Sequence, residues 1–330
     1  MNEIKNSQIF VCNDFTNTVF KAFDGLRSGT FIESSDNNLI LTGESGSGKS
    51  AICKKYRELN PTQRANDGIV VPVLYVELAK INSDKALYEQ ILLALGDPQQ
   101  GRAKNASLLL ERIEMLFHVC RVELLILDEA QTAVQNRRIN VISEVCDWFK
   151  KLINKSKVPI VLSGMPWVTD MVGFLSQLDQ RFGFRFSIPP YQISERFEDY
   201  QSFVLQFFEH FGYKNNAICR DIEFFTRLFA YTRGGVRITA TLLHNVLTHQ
   251  IDSMRTVSLK DFEYAINQRG EIHNNPFQLP AHKLKIYEQV HASRWNFEYK
   301  SNINPMENPI YRELKVCGKW KLSICGNVTI

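Results

Sequence analysis

The chain has 330 residues, of which 44% are hydrophobic and 22% are charged, and its formal net charge is +4. These values are typical of a globular protein of one large or two medium domains, and the mild positive charge permits contact with nucleic acid without requiring it. No run approaches the roughly 18 apolar residues that span a bilayer, and the N-terminus "MNEIKNSQIF" has no apolar signal core. The seven cysteines are scattered without a C-x-x-C pair, which argues against a disulfide framework and against a zinc site. We therefore expect a cytoplasmic protein without a membrane segment.

The first predicted element is an amphipathic helix that follows a short leader. The sequence "FTNTVFKAF" places Phe15, Val19, Phe20 and Phe23 at helical spacing. We therefore treat residues 1–37 as an N-terminal leader and helix, distinct from the domain that follows.

Apolar runs and helical patterns then alternate, which is typical of a parallel α/β sheet. The near-continuous Val, Ile and Leu runs suit strands that are buried on both faces. The predicted strands are residues 38–43, 70–78, 123–129, 158–164 and 184–190. Helical patterns such as "LLLERIEMLFHV" and "NVISEVCDWFKKLIN" lie between them. Residues 38–192 are therefore predicted to form an α/β core with a parallel five-stranded sheet.

The sequence changes character after Pro189 and Pro190, which end the fifth predicted strand. Residues 193–269 contain only helical patterns, which predict a helical lid domain. Its aromatic stretches "FVLQFFEHFG" and "FFTRLFAY" indicate a helix-bundle core more than a platform for stacked bases. Residues 270–330 are rich in Asn and Pro, and we expect a loosely structured tail there.

The sequence "GESGSGKS", residues 43–50, matches the phosphate-binding loop G-x-x-x-x-G-K-S/T in full, between a predicted strand and a predicted helix. Glycines let backbone N–H groups curve around phosphate oxygens, and the helix N-terminus adds partial positive charge. Lys49 can reach the β- and γ-phosphates, and Ser50 can ligate Mg²⁺. We therefore predict binding of ATP and Mg²⁺. The predicted binding residues of this loop are Gly43, Glu44, Ser45, Gly46, Ser47, Gly48, Lys49, Ser50 and Ala51.

The sequence "LLILDEAQ" provides the acid pair that an ATPase needs. Four apolar residues carry Asp128 to the end of a buried strand, where its carboxylate can hold the Mg²⁺ shell. Glu129 follows directly and can orient and deprotonate the attacking water. An acid pair that follows a phosphate-binding loop at this distance predicts ATP hydrolysis.

Two further positions are candidates for the same site. Ser163 in "VLSG" ends the next predicted strand at the carboxyl edge of the sheet, where such sheets place their ligands. It either positions the lytic water or only caps the strand, since serine is shorter and weaker than asparagine for that task. Arg237 in "TRGGVRIT" begins a lid helix and can fold onto the γ-phosphate, with Arg233 as the alternative.

With "GESGSGKS", "LLILDEAQ", "VLSG", "QLDQRF" and "GGVRIT" in this order, the chain resembles an AAA+ ATPase over roughly residues 10–268. Within that class it resembles the TniB/TnsC family of transposition regulators, through "GESGSGKS", "LDEAQ" and "QLDQRF". It lacks long extensions, which makes it similar to the compact TnsC proteins of CRISPR-associated transposons. Ser163 departs from the asparagine that is common at that position in AAA+ proteins.

The resemblance implies an ATP-dependent homo-oligomer, a ring or filament, assembled around duplex DNA. Such an assembly would link a target selector, TniQ with an RNA-guided effector, to the transposase TnsA/TnsB. Two alternatives stay open: a nucleotide-switch scaffold that does not hydrolyse ATP, and an AAA+ ATPase with a replication-initiation or secretion client.

The run "SQLDQRFGFRF" contains two arginines, Arg181 and Arg185. In an AAA+ ring this corner faces the nucleotide of the neighbouring subunit. Arg181 precedes the fifth strand and is free to project, so we predict that it is the trans-acting arginine that stabilises the transferred phosphoryl group. Arg185 alternates with phenylalanines along the strand, which favours a structural role.

Basic residues predict where a ring would contact DNA. Arg102 and Lys104 lie in the polar loop "GDPQQGRAK", and residues 131–157 carry six basic against two acidic residues, including Arg137 and Arg138. Such side chains would neutralise phosphates without recognising bases. The tail carries eight basic against five acidic residues, and we expect it to dock a protein partner or an adjacent subunit.

Overall fold

The computed structural model has a parallel five-stranded sheet at its centre. It describes residues 9–30, 37–134, 140–213, 215–249, 256–270, 274–296, 306–318 and 320–329. The strands of the N-terminal half are β1 (Leu39–Thr42), β2 (Gln63–Ala65), β3 (Gly68–Val70), β4 (Val73–Glu77), β5 (Leu124–Asp128), β6 (Ile160–Gly164) and β7 (Phe184–Ser187). Strands β2 and β3 form a separate hairpin, and the others pair in the order β4-β5-β6-β1-β7. Because β1 lies between β6 and β7, the loop that follows it starts between the ends of these two strands.

Helices cover both faces of this sheet, because β1, β4, β5 and β6 are apolar on both sides. The helices are α1 (Asp14–Ser28), α2 (Lys49–Leu59), α3 (Asp84–Leu95), α4 (Ala106–Val119), α5 (Asn140–Ser156), α6 (Val168–Gly173) and α7 (Ser176–Asp179). Successive side chains of a strand point to opposite faces. Leu39 and Leu41 accordingly pack with α1 and α2, whereas Ile40 packs in the cluster formed with α3, α4 and α5. The predicted α/β fold is confirmed.

The second hydrophobic core belongs to the helices that follow β7, as the sequence predicts. These helices are α8 (Phe197–His210), α9 (Ile222–Thr232), α10 (Val236–His249) and α11 (Leu259–Asn267). Tyr200, Phe208, Phe224 and Phe229 are fully buried in this cluster, so the aromatic stretches form the core of the lid. The placement of domain boundaries at 37, 192 and 269 stays a prediction.

The expectation of a loosely structured tail is wrong for the residues that the structure describes. The tail contains β8 (Ile286–His291), β9 (Arg294–Trp295), β10 (Met306–Glu307), β11 (Ile310–Cys317) and β12 (Lys321–Thr329). An antiparallel sheet forms in the order β12-β11-β8, and Ile286 and Leu314 are fully buried in the lid core. The burial of these apolar side chains stabilises a segment whose Asn and Pro content alone suggests a loop.

A buried ion pair fastens the tail to the start of the lid. Glu288 is fully buried, and its carboxylate accepts hydrogen bonds from Nε of Arg312 (2.7 Å) and from the backbone N–H of Ser194 (3.0 Å). Arg312 also donates to Glu195 (2.8 Å). Because a buried charge is tolerated only when it is paired and hydrogen-bonded, this network fixes the position of β8. None of the described helices is both long and apolar enough to cross a membrane.

Candidate active site

The loop between β1 and α2 has the backbone that a phosphate cradle requires. Gly46 and Gly48 have φ values of 76° and 102°, a region that side-chain-bearing residues rarely adopt. A Cβ atom on Gly43 would lie 2.6 Å from Oγ of Ser47 and 3.1 Å from Cβ of Ile188, so the loop is closely packed against β7. The sequence therefore folds here into a tight turn that ends at the N-terminus of α2.

Two side chains of the loop, Lys49 and Ser47, have hydrogen-bond donors that could bind an anion. Lys49 is buried, and its Nζ donates to the carbonyl oxygens of Gly43 (2.7 Å) and Glu44 (2.9 Å). Burial lowers the pKa of Lys49, and the nearby carboxylates of Glu129 and Asp128 oppose that shift. Oγ of Ser47 is buried without a hydrogen-bond partner among the described residues. An orphaned hydroxyl and a desolvated ammonium beside curved backbone N–H groups fit a bound polyphosphate.

The remaining candidate residues of the loop are Ser45, Ser50 and Ala51. Ser45 and Ala51 are exposed, and both line the cavity described below. Ser50 is half-buried in the first turn of α2, where a hydroxyl can reach a cation held by phosphates. Its role as a metal ligand stays a prediction.

Asp128 is the fully buried last residue of β5. Tyr75 Oη donates to its Oδ2 (2.8 Å), and Ser163 Oγ donates to its Oδ1 (2.6 Å). The backbone N–H of Glu129 donates to Oδ1 as well (2.9 Å). A carboxylate has about four lone-pair sites, so these three bonds leave about one site for a metal-bound water. Ser163 therefore holds Asp128 in place, a contact that the sequence analysis did not anticipate. The burial of Tyr75 and its contact with Asp128 raise the pKa of the phenol.

Glu129 has a strained backbone, with φ 58° and ψ 37°. Such a conformation costs about 1–3 kcal/mol and concentrates at functional sites. The Glu129 N–H donates to Asp128 Oδ1 (2.9 Å), and Nε2 of Gln131 donates to the Glu129 carboxylate. Gln131 Oε1 in turn accepts from the backbone N–H of Met165 (3.1 Å), just after β6. Gln131 thus ties the predicted base to the neighbouring strand end.

The lid reaches the phosphate-binding loop through the N-terminus of α10. The backbone N–H of Arg237 donates to the carbonyl oxygen of Gly46 (3.1 Å), and Cβ and Nε of Arg237 lie 3.1 and 3.7 Å from where a Cβ of Gly46 would be. Arg233, the alternative candidate, places its guanidinium 5.5 Å from the ring centre of Tyr287 in the tail. Arg237 therefore contacts the loop, whereas Arg233 lines the cavity beside it, and the role of Arg237 at the γ-phosphate stays a prediction.

A cavity of about 960 Å³ lies between the core and the lid. Its walls are the phosphate-binding loop, the segment 9–16 before and at the start of α1, the first residues of the lid, and residues of the tail such as Gln289 and Tyr311. Apolar side chains, including Ile9, Val11 and Phe203, also line it. A phosphate cradle together with apolar walls suits a nucleotide.

The model of the family described as "Bacterial TniB protein" matches residues 17–198 of this chain, more than half of its length. The chain belongs to the TniB family. No curated protein sequence matches it.

Three solved structures show the fold of this TniB-family chain. ORC2 of Aeropyrum pernix, in its ADPNP–ADP complexes, has a TM-score of 0.52 at 17% identity over 77% of this chain and 66% of its own. ORC1 of the same organism, in complex with DNA, has a TM-score of 0.52 at 15% identity over 84% and 72%. Cdc6p of Pyrobaculum aerophilum has a TM-score of 0.52 at 14% identity over 84% and 73%. At such identities the likeness establishes an AAA+ fold.

The two arginines before and within β7 of the TniB-family chain have different surroundings. Nε of Arg181 is buried without a hydrogen-bond partner among the described residues, and its carbonyl accepts from Nδ2 of Asn38 (2.8 Å). Arg185 forms an ion pair with Asp179 (2.6 Å) on its own chain. The ion pair supports the structural role expected of Arg185, and the trans-acting role of Arg181 stays a prediction.

The candidate DNA contacts are only partly described. Arg102 and Lys104 are exposed on the loop between α3 and α4, while Arg137 and Arg138 lie outside the described residues. The carbonyl oxygen of Arg102 accepts from the guanidinium of Arg112 (3.1 Å), which also pairs with Asp97 (3.0 Å). The loop thus exposes the side chains of Arg102 and Lys104, while the hydrogen bond to the Arg102 carbonyl holds its backbone.

Sequence reasoning missed four residues of this site: Tyr75, Gln131, Gln289 and Ser293. Gln131 stands within the quoted motif "LDEAQ", so its place beside the acid pair was available as a signal. Tyr75 stands within the apolar run of β4, and no local sequence pattern indicates that it contacts Asp128. Gln289 and Ser293 contact Glu44 from a segment that is more than 240 residues away in the chain.

Proposed function

We propose that this TniB-family chain is an ATP-dependent, DNA-binding AAA+ regulator of transposition. The observation that carries the proposal is the meeting of Lys49, Asp128 and Glu129 at one sheet edge, where the lid residue Arg237 contacts the same loop. A TniB-family chain with this edge has the parts for ATP hydrolysis. We assign residues 38–192 to the nucleotide-binding core, 193–269 to the lid and 270–330 to a tail.

Bound ATP with Mg²⁺ would supply the transferable phosphoryl group and a divalent charge at this edge. The loop N–H groups and Lys49 would bind the phosphates, and Ser50 and Asp128 would hold the cation. Glu129 is the general base that accepts a proton from water, and Ser163 orients Asp128. Arg237 would contact the phosphates from the lid in the same subunit.

Assembly would complete the site in trans. In this proposal a homo-oligomer, a ring or filament, forms on duplex DNA, and Arg181 of one subunit enters the site of the next. The fold is shared with an ORC1 protein whose structure was solved in complex with DNA, which supports DNA as a ligand. We further propose, as in the compact TnsC proteins, that the assembly links TniQ with an RNA-guided effector to the transposase TnsA/TnsB, in the cytoplasm.

One observation favours a second candidate, a nucleotide switch that hydrolyses ATP slowly or not at all. Gln131 donates a hydrogen bond to Oε2 of Glu129 and so fixes the orientation of the carboxylate. If this orientation turns the other acceptor sites away from the attacking water, the chain would bind ATP and assemble without turnover. The resemblance to ORC and Cdc6 proteins also keeps a replication-initiation client as an alternative to transposition.

Phosphate release with and without duplex DNA distinguishes these functions. Duplex DNA should stimulate phosphate release by the wild type. Glu129→Gln should lower turnover at least about 100-fold, because a general base contributes about 10²–10⁴-fold, and should stabilise the ATP-bound assembly. Glu77→Gln removes an exposed carboxylate at the end of the adjacent strand β4 and serves as the matched control. If Glu129→Gln leaves turnover and assembly unchanged, Glu129 is not the base.

A further inference from the structure

The tail forms hydrogen bonds with the phosphate-binding loop at Glu44, the second residue of that loop. The Glu44 carboxylate accepts hydrogen bonds from the Ser293 N–H (2.6 Å), from Ser293 Oγ (3.2 Å) and from Nε2 of Gln289 (3.3 Å). All these donors belong to residues 286–296, which we call the strap. The strap comprises β8, β9 and the turn between them.

The strap is itself fixed to the core, including the segment that leads from β7 into the lid. The Gln289 carbonyl oxygen accepts from Nε2 of Gln192 (2.9 Å), and the Trp295 N–H donates to Oδ2 of Asp170 (3.0 Å). The ring of Trp295 packs on Trp167 with 5.1 Å between ring centres. Gln289 and Ser293 are 6% and 7% exposed. The donors to Glu44 are therefore held by the fold and are not mobile surface groups.

Because Glu44 is negatively charged, its hydrogen bonds to the strap matter for the binding of a nucleotide. Glu44 lines the same cavity as the glycines of the loop, and its carbonyl oxygen is 2.9 Å from Nζ of Lys49. A carboxylate near a polyphosphate is repelled by it, and the repulsion grows as the two charges approach each other. The strap donors hydrogen-bond the Glu44 carboxylate and fix its position, which limits that repulsion.

We propose that the strap belongs to the nucleotide site, and that Gln289 and Ser293 are positioning residues that hold the Glu44 carboxylate away from the phosphates. This inference rests on the proposed binding of ATP. It gives the tail a role in the affinity for nucleotide, in addition to any partner that it docks. Because ATP carries one more negative charge than ADP, loss of the strap donors weakens ATP binding more than ADP binding.

The test is calorimetric titration of the full chain with Mg-ATP and with Mg-ADP. Gln289→Ala combined with Ser293→Ala removes both side-chain donors to Glu44. ATP affinity should fall about tenfold, since a hydrogen bond to a charged group contributes about 1.5–3 kcal/mol and 1.4 kcal/mol is tenfold. The backbone N–H of Ser293 still donates to Glu44 in this variant, so the carboxylate is held less firmly but stays charged. Adding Glu44→Gln should restore ATP affinity, because the less restrained charge is then gone. A purely structural role of the strap would not produce that rescue.

Ser323→Ala provides the matched control, because it removes an exposed hydroxyl of the tail that contacts Cys317, away from the loop. It should bind ATP as the wild type does. Glu44→Gln alone should bind ATP at least as tightly as the wild type, a result that does not depend on the stability of the double variant. Weaker binding by Glu44→Gln, wild-type affinity in the double variant, or a failure of the rescue would each overturn the inference. A wild type that does not bind ATP would instead overturn the proposed function itself.

Discussion

Arg181 and Arg185 are four residues apart, yet their contacts differ in a way that matters for assembly. Arg185 is paired with Asp179, so its charge is compensated within the chain. Nε of Arg181 has no hydrogen-bond partner among the described residues although it is buried. An unpaired buried polar atom costs about 1–3 kcal/mol, so Nε of Arg181 lacks the compensation that Asp179 gives to Arg185.

Arg181→Ala should abolish DNA-stimulated ATP turnover and leave ATP binding by the monomer nearly intact. A trans-acting arginine contributes about 10³–10⁵-fold to turnover, because it stabilises charge on the transferred phosphoryl group. Phosphate release with saturating duplex DNA measures the first effect, and calorimetric titration with ATP measures the second.

Arg185→Ala is the natural comparison for this prediction. It removes an arginine four residues away that is ion-paired at the surface, and a pair of this kind contributes little to stability. DNA-stimulated turnover should therefore persist. If Arg185→Ala abolishes turnover and Arg181→Ala does not, the roles of the two arginines are reversed.

The sequence revealed contiguous parts of the site and missed those that depend on tertiary contacts. The loop 43–50 and the pair Asp128–Glu129 were predictable, because the required residues are adjacent in the chain and follow recognisable strands. Ser163 was correctly located at the end of β6, but its bond to Asp128 joins two strands and leaves no local pattern. The bond from Tyr75 to Asp128 also joins two strands, so the sequence did not predict it either.

At the scale of elements, the strands of the core were predictable and the tail was not. A strand buried on both faces is an uninterrupted apolar run, so β1, β4, β5 and β6 fall within predicted segments. The edge strand β7 also does, although Arg185 and Ser187 are exposed, because its two phenylalanines precede a proline pair. The sheet of the tail packs one face on the lid, and β11 contains the single fully buried residue Leu314 among its half-buried or exposed neighbours. Such a weak alternation, beside Asn- and Pro-rich stretches, resembles a loop.

The loop between α3 and α4 is organised by one carboxylate. Asp97 is buried and accepts from the backbone N–H groups of Gln99 (3.1 Å) and Gly101 (2.8 Å) and from Arg112 (3.0 Å). Burial by itself raises the pKa of Asp97, but these donors outweigh it and hold the pKa below its ordinary value. The loop that presents Arg102 is thus stabilised by the charged form of Asp97.

Asp97→Asn should lower the free energy of unfolding by about 1–3 kcal/mol at pH 7, because an amide lacks the charge that Arg112 and the N–H groups pair with. A depressed pKa in the folded state means that the contribution is present above the unfolded pKa of about 3.9 and is lost as the pH falls through the folded pKa. The difference between wild type and variant should therefore persist from pH 7 to about 5 and shrink below about 4. Urea unfolding at several pH values measures it.

Glu111→Gln is the control for this prediction, since Glu111 is an exposed carboxylate beside Arg112 on α4. It should leave the unfolding free energy nearly unchanged at every pH. A constant difference between wild type and Asp97→Asn down to pH 3 would show that the charge of Asp97 does not stabilise the loop.

At the scale of the whole molecule, the phosphate-binding loop is the point where core, lid and tail meet. The lid contacts it through the N–H of Arg237, and the tail contacts it through Glu44. The tail in turn packs into the lid core with Ile286 and Leu314. The core and the helices of the lid could be recognised from the sequence, but their convergence with the tail could not, because the contacts join residues from distant parts of the chain. A ligand at this loop would act on all three segments together.

The predicted contact of Arg102 and Lys104 with duplex DNA concerns the whole proposed oligomer. Arg102→Ala combined with Lys104→Ala should weaken binding to duplex DNA in the presence of ATP and flatten its salt dependence. Each phosphate contact contributes about −0.9 to the slope of log K against log salt, so two lost contacts per subunit should lower the slope by about 2 for each bound subunit. Arg137→Ala with Arg138→Ala should act in the same direction. The measurement is fluorescence anisotropy of a labelled duplex over a range of salt concentrations.

Lys283→Ala combined with Lys285→Ala controls for the loss of two positive charges, since both lysines are exposed on the tail, away from the loop between α3 and α4. This control should keep the wild-type slope, because phosphate contacts and not net charge determine the number of released counterions. The Arg102–Lys104 variant keeps the carbonyl of Arg102 that Arg112 binds, so the loop itself should stay in place. An unchanged slope in both the Arg102–Lys104 and the Arg137–Arg138 variants would show that DNA passes along a different surface of the assembly.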